Sequence, residues 1–192
     1  MSFKTSLILF CAFIVSGTGI YILAHNGLYS IAVVNMDVIT AKKANEDFAV
    51  AYNFFKNTLT ASGSDLQTLN NPQSLMEIKR AMLDKLITDA LIMRELRKRV
   101  DEKEFNGIAE KNILKITENN ANIKEAAKKI YGLEFEDFKK IVLMPEAYRE
   151  ILAGRMFLNQ EDFSKWLGEA RAGANVLIFS SQLQWKENSV KF

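Results

Sequence analysis

Residues that could do catalytic chemistry are few in this chain of 192 residues. His25 is the only histidine and Cys11 the only cysteine, so a Cys–His pair would have to join these two residues. Cys11 lies inside a long apolar run, and a Ser–His–Asp triad would need the same single histidine. No cysteine–histidine cluster indicates a metal, and no glycine-rich loop indicates a phosphate-binding site. We therefore predict no catalytic residues, no metal and no cofactor.

Two acidic pairs are the remaining candidates for acid–base chemistry, namely Glu134 with Glu136 and Glu161 with Asp162. Each pair lies near the start of a predicted helix. The positive end of the helix dipole stabilises negative side chains there. We therefore interpret both pairs as solvated residues at helix starts, and the prediction remains that the chain is not an enzyme.

Methionine and aromatic side chains are more informative, because the chain contains seven methionines and thirteen phenylalanines. Core packing is the ordinary role for any single one of them. A groove for varied apolar partners is the alternative, since flexible methionine surfaces adapt to different ligands. The residues that we expect to contact a bound peptide, chosen by residue type and position, are Tyr52, Phe55, Met82, Met93, Phe138 and Met144.

The overall composition limits the other classes of partner and fold. With 48% apolar and 25% charged residues, the chain has the composition of a folded domain with a hydrophobic core. A formal net charge of +2 gives no electrostatic surface for nucleic acid, so we predict no nucleic-acid partner. The single cysteine leaves no disulfide bond available within the chain.

The N-terminal residues predict a membrane anchor. Residues 5–24, "TSLILFCAFIVSGTGIYILA", contain no charged side chain and have the length of a transmembrane helix. Lys4 precedes this run and favours an N-terminus on the cytoplasmic side. We therefore expect an anchor or uncleaved signal over residues 1–24, a linker over 25–30, and a domain over 31–192 outside the cytoplasm, as in a single-pass inner-membrane protein with a periplasmic domain. A cleaved signal peptide is the alternative.

Beyond this run, hydrophobic spacing predicts a mainly helical domain. A helix is expected from an N-cap at Thr40, and a second from Asn71 and Pro72 to about residue 100. Asp101 and Glu104 have the spacing of a capping box, and Gly132 is a predicted helix stop. Pro145 is expected to end one helix and start the next.

Only two segments predict strands, residues 31–34 near the start and residues 176–179 near the end. A lone strand would leave backbone hydrogen-bonding groups unpaired. We therefore predict a small two-stranded sheet in which these two segments pair with each other. The two ends of the domain would then meet, and the helices would lie between them as one long excursion.

The order of these elements resembles a known family. The segment "IAVVNMDVIT" is similar to the strand–turn–helix that opens the SurA N-terminal-like family of extracytoplasmic chaperones, which includes PpiD- and PrsA-type foldases. In this chain Met36 stands where the family usually has glycine. The resemblance continues through "MLDKLITDALIMREL", "DEKEFNGIAEKN", "IYGLEFEDFKKIV" and "YREILAGRM", and covers roughly residues 31–158.

This resemblance implies a SurA-N-like helical domain that binds unfolded or secreted polypeptides without ATP. Many family members add a parvulin prolyl-isomerase domain, but only about 36 residues follow Met156, fewer than the roughly 50 that a domain needs. The expectation is thus a membrane-anchored chaperone, or holdase, without the isomerase. The alternative is a non-catalytic adaptor or structural subunit of an envelope membrane complex.

Overall fold

The computed structural model describes residues 23–192, which form a mainly helical fold with two small antiparallel sheets. The helices are α1 (Ala41–Ala61), α2 (Gln67–Asn70), α3 (Pro72–Arg99), α4 (Glu102–Asn119), α5 (Ile123–Ala126), α6 (Phe135–Phe138), α7 (Met144–Leu158) and α8 (Phe163–Ala172). The strands are β1 (Ser30–Val34), β2 (Asp37–Thr40), β3 (Val176–Ile178), β4 (Gln184–Lys186) and β5 (Ser189–Lys191).

The predicted caps begin the three long helices. The Thr40 hydroxyl accepts a hydrogen bond from the Lys43 amide, and the Asn71 side chain accepts one from the Gln73 amide. Asp101 caps α4 by accepting from the Lys103 amide at 2.9 Å. The capping box does not form, because Glu104 pairs with Arg155 of α7 instead. Local sequence signals therefore predicted where these helices begin, but not every side-chain partner.

The expectation that Pro145 starts a helix is confirmed, but the expectation that it ends the preceding one is wrong. A π-helical turn (Lys139–Leu143) joins α6 to α7 without a break, and Pro145 lies in the first turn of α7. In this turn the Met144 amide donates to the carbonyl of Lys139, five residues back. The wider turn accommodates the missing proline N–H. A second π-helical turn (Ala127–Tyr131) extends α5 and ends at Gly132, whose φ of 70° is the predicted left-handed stop.

The predicted pairing between the two ends of the domain is confirmed, within a larger sheet than expected. β1 pairs antiparallel with β3, with Val33 opposite Leu177 and Val34 opposite Val176. β2 pairs with the other edge of β1 through a tight turn, so the sheet has three strands in the order β2-β1-β3. The expected two-stranded sheet is therefore wrong in strand number, because residues 37–40 bend back to pair before α1 starts.

A second sheet was not predicted at all. β4 and β5 form an antiparallel hairpin in which Trp185 is opposite Val190. Val190 is fully buried and packs with Leu183 into the core beneath the three-stranded sheet. The chain after β3 thus completes the core that β1, α1 and α3 begin.

α3 organises the interior, because two hydrophobic cores share it. The part of α3 up to Leu91 packs under the sheet and includes Ile87, and the part from Ile92 onward packs against α4 and α7 with Leu96. A smaller third cluster, Ile123, Ala127 and Phe138, lies between the two π-helical turns. The helices therefore surround α3 on several sides and leave hollows between the three clusters.

The prediction of a single-pass inner-membrane protein is wrong for the helices that the structure describes. Over residues 23–192, no helix combines the length and the apolar character needed to cross a bilayer. α3 has sufficient length, but it carries charged side chains along its course, such as Glu77, Asp84 and Arg94. The predicted span, residues 5–24, lies outside the described residues except for its last two.

Candidate functional site

A strongly apolar cleft of about 220 Å³ lies between α1, α3 and the two π-helical turns and is called the α1–α3 cleft below. Eight of its lining residues are apolar or aromatic, and the polar ones are Asp47 and Lys85. The apolar lining comprises Val50, Ala51, Phe54, Phe55, Met82, Tyr131, Ile141 and Val142. An apolar surface of this kind is suited to binding apolar side chains.

Tyr131 forms one wall of the cleft through two ring contacts. Its ring stacks on Phe54 with a centroid distance of 5.3 Å and lies 4.9 Å from Phe138 in a tilted arrangement. Phe54 also contacts Phe55 edge-on at 5.7 Å. Such pairs stabilise each other beyond simple burial, so the wall has a defined shape.

The π-helical turn before Gly132 positions this wall against α1. The side-chain amide of Asn57 on α1 donates a hydrogen bond to the backbone carbonyl of Ile130 at 2.9 Å. Gly132 lies so close to α1 that a Cβ there would be 2.9 Å from Nδ2 of Asn53. The left-handed turn and this close approach both favour glycine, and together they hold Tyr131 over Phe54.

A chain of alternating charges lies beside the apolar lining. The buried Asp47 carboxylate is 2.5 Å from Lys43 Nζ, outside hydrogen-bonding geometry, and 3.7 Å from Lys85 Nζ. Lys85 also donates to Asp89 at 2.5 Å. The two cations balance the two carboxylates, so this side of the cleft attracts neither sign of charge strongly.

Two of the predicted peptide-contacting residues, Phe55 and Met82, line the α1–α3 cleft. Tyr52 stacks on Phe48 at 6.2 Å and does not belong to the lining. Phe138 is buried behind Tyr131, where it supports the wall.

The other two predicted residues, Met93 and Met144, do not line the cleft. Met93 lines a separate hollow of about 390 Å³ that includes Val38 of β2 and Pro145 of α7. Met144 is half-buried against the core formed with α4 and α7. Of the six candidates, two therefore line the cleft, Phe138 packs behind its wall, and the other three lie elsewhere in the structure.

Sequence reasoning missed Phe54, Tyr131 and Val142 as lining residues. Helical periodicity selected Phe55 rather than its neighbour Phe54, yet both line the cleft because it wraps around α1. Tyr131 precedes the helix-stop glycine, and this was the one sequence signal that could have suggested a fixed position for its ring. Val142 lies in the π-helical turn Lys139–Leu143, and the wider turn changes the direction in which its side chain points relative to a regular α-helix.

Three of the four acidic residues considered for catalysis, Glu134, Glu161 and Asp162, make an ion pair or a helix cap. Glu134 accepts from Lys128 at 2.9 Å, and Asp162 caps α8 by accepting from the Lys165 amide. Arg99 donates two hydrogen bonds to Glu161, at 2.6 and 2.8 Å, and these lower the pKa of that carboxyl. Within residues 23–192, no group of three or more histidine, cysteine and acidic side chains is arranged to hold a metal ion.

This geometry defines a mainly helical domain with a preformed apolar cleft. Comparison with protein-family models, with curated proteins and with solved structures found no match for this chain.

Proposed function

We propose that this chain is an ATP-independent chaperone module that binds exposed apolar side chains of unfolded polypeptides in the α1–α3 cleft. The single observation that carries the proposal is the cleft itself, because eight of its ten lining residues are apolar or aromatic. Binding buries the client's apolar surface reversibly and needs no catalytic group, cofactor or nucleotide.

The size of the cleft favours side chains over a small-molecule ligand. Its volume of about 220 Å³ is below the roughly 300–1,000 Å³ that pockets for drug-sized ligands occupy. Phe55 keeps 44% of its surface exposed, so the cleft is accessible from solvent. Met82 adds an unbranched side chain that can adapt to clients of different shape.

The resemblance of residues 31–158 to the SurA N-terminal-like family supports the same function. The motifs occur in the order typical of that family, and the strand near the C-terminus pairs with the strand near the N-terminus as the resemblance implies. Membership of the family remains a prediction based on these motifs.

The decisive experiment measures suppression of aggregation by the full chain. The B chain of insulin, released by reduction, provides an aggregating client whose light scattering is followed over time. We expect the full chain to suppress scattering at a few-fold molar excess, and Phe55→Ser to lose most of this effect. Phe157→Ser is the matched control, because Phe157 is 80% exposed and lies at the end of α7, away from the cleft.

The outcomes separate a chaperone from an adaptor with one fixed partner. Suppression that depends on Phe55 and not on Phe157 supports the chaperone. No suppression at several-fold excess, together with one stoichiometric partner that copurifies and is lost in Phe55→Ser, would assign the cleft to a non-catalytic adaptor. Equal loss in both variants would indicate a general surface effect and would contradict the role of the cleft.

A further inference from the structure

Strand β3 lies at one edge of its sheet and has unpaired backbone groups. Its ladder with β1 uses alternate residues, since Asn35 donates to the Asn175 carbonyl at 2.9 Å and Phe179 donates to the Ile31 carbonyl at 2.8 Å. Leu177 lies midway between Asn175 and Phe179 and is opposite Val33, so its backbone groups also face β1. The N–H and C=O groups of the two intervening residues, Val176 and Ile178, therefore point away from β1. Within residues 23–192, they have no hydrogen-bond partner on that side.

This edge lacks three of the features that normally protect a strand from pairing with another chain, namely charged side chains, proline and a bulge. Natural edge strands are blunted by charged side chains, proline, bulges or a covering element. Residues 172–185 contain no charged residue and no proline. The irregularity in the sheet lies between β1 and β2, near Ser30, and not on β3. Strand β3 is thus a template for a further strand.

The outer face of the sheet adds an apolar surface beside this edge. Val38, Val33 and Leu177 form a continuous row across the three strands, because they are mutual partners in the ladders. Val38 is 59% exposed, and Leu177 and Phe179 are each 55% exposed. A strand added to β3 would place alternate side chains next to Leu177 and Phe179, and these positions favour apolar residues.

We propose that β3 is a second binding surface, which captures an extended, uncharged apolar segment of another polypeptide by adding it as a fourth antiparallel strand. Main-chain hydrogen bonds to Val176 and Ile178 supply affinity that does not depend on the client sequence. Leu177 and Phe179 select apolar side chains at alternate positions. The proposal concerns a surface separate from the α1–α3 cleft and does not require the cleft to bind clients.

An extended client fits this edge better than a second copy of the chain. β3 has only three residues, so two copies paired through it would share a short ladder. Stable dimers bury at least about 1,000 Å² with good complementarity. A short ladder with a few apolar contacts suits weak and reversible capture of an unfolded segment.

Fluorescence anisotropy with a labelled peptide tests the proposal directly. The probe is a peptide of about eight residues that alternates valine and threonine, with one lysine at each end for solubility. The control peptide has the same sequence but carries N-methyl groups on alternate amides, so one edge cannot donate hydrogen bonds. We expect the probe to bind the full chain and the N-methyl peptide to bind at least about tenfold more weakly.

Two variants locate the binding surface on β3. Leu177→Lys places a charge on the outer face and should weaken binding at least about fivefold. Val176→Pro removes one outward N–H without removing a bond to β1, and should have a similar effect if circular dichroism shows that the fold is retained. Leu114→Lys is the matched control, because Leu114 is 57% exposed on α4, and it should bind as the parent chain does.

The remaining outcomes would overturn the proposal. Equal binding of the N-methyl peptide would show that plain hydrophobic contact suffices, and unchanged binding in Leu177→Lys would place the peptide elsewhere. A concentration-dependent dimer of the chain alone, lost in Leu177→Lys, would assign the edge to a second copy. Because Phe55→Ser acts on the cleft alone, loss of aggregation suppression in that variant with normal peptide binding would separate the two surfaces.

Discussion

Arg171 of α8 donates a hydrogen bond to the Asp84 carboxylate of α3, with 2.7 Å between Nη2 and Oδ1. The same oxygen of Asp84 accepts from the Val190 amide of β5 at 3.0 Å. Arg171 also donates to Thr88 and to the Asn188 carbonyl, and its guanidinium lies 5.2 Å from the centre of the Trp185 ring. One charged pair therefore fastens both α8 and the C-terminal hairpin to α3.

Breaking this pair should destabilise the whole domain. Asp84→Ala leaves a half-buried guanidinium and the Val190 amide without their partner, and we expect a loss of about 2–4 kcal/mol in the free energy of unfolding. Urea denaturation followed by circular dichroism measures the loss. In a double-mutant cycle with Arg171→Ala, the two losses should be strongly non-additive; simple additivity would contradict a shared network.

Acid should weaken the junction between α3 and the segment that joins α7 to α8. The hydrogen bonds from Arg99 lower the pKa of Glu161. Burial raises the pKa of Glu95, but hydrogen bonds and charges from Arg99 and Lys98 outweigh burial and leave it lowered. Because both carboxyls titrate lower in the folded state, their contribution is present above the ordinary glutamate pKa of about 4.3 and is lost as the pH falls through the folded values.

Glu161→Gln should therefore make the stability of the protein less dependent on pH in the acidic range. Thermal unfolding at a series of pH values from about 6 to 3 compares this variant with the parent chain and with Glu118→Gln, an exposed residue at the end of α4. We expect the stability of the parent and the Glu118→Gln variant to fall more steeply below about pH 4.5 than that of Glu161→Gln. Parallel curves for all three would refute the contribution of this ion pair.

Met36 is a site where a substitution should stabilise the protein. It has a φ of 80°, in the left-handed region, and 83% of its surface is exposed. A side chain with a Cβ pays roughly 1–2 kcal/mol for this conformation, whereas glycine adopts it freely. Met36→Gly should raise the free energy of unfolding by about 1 kcal/mol, measured by urea denaturation. An unchanged or lower value would mean that the methionine side chain makes a compensating contact.

Phe138 and Phe55 should separate support of the cleft from contact with a client. Phe138 is buried, so Phe138→Leu should cost about 1–2 kcal/mol of stability. At a temperature where this variant remains folded, we expect it to keep most of its aggregation suppression, since Tyr131 still lines the cleft. Phe55→Ser should show the reverse, with little loss of stability and a large loss of suppression. If the variant that loses more stability is also the variant that loses more aggregation suppression, the distinction between support and contact is contradicted.

Local signals in the sequence predicted a good part of the fold. Thr40, Asn71 and Asp101 cap helices as expected, because a cap depends on hydrogen bonds within a few residues. The pairing of residues 31–34 with the strand near residue 176 was also predictable, because two isolated β-branched segments must satisfy each other's backbone groups. The prediction of a membrane span found no support, because no helix over residues 23–192 is long and apolar enough to cross a bilayer.

The sequence by itself determined the helical class and the helix starts, since these follow from periodicity and capping over short stretches. It also determined the closure of the two ends, because two isolated strand segments must pair with each other. Only the tertiary structure decided the π-helical turns, the β4–β5 hairpin and the lining of the α1–α3 cleft. Each of these depends on contacts between residues far apart in the chain, such as Tyr131 with Phe54 and Asp84 with Val190. Long-range packing sets the phase of a helix and the exposed edge of a sheet, and no local pattern encodes either one.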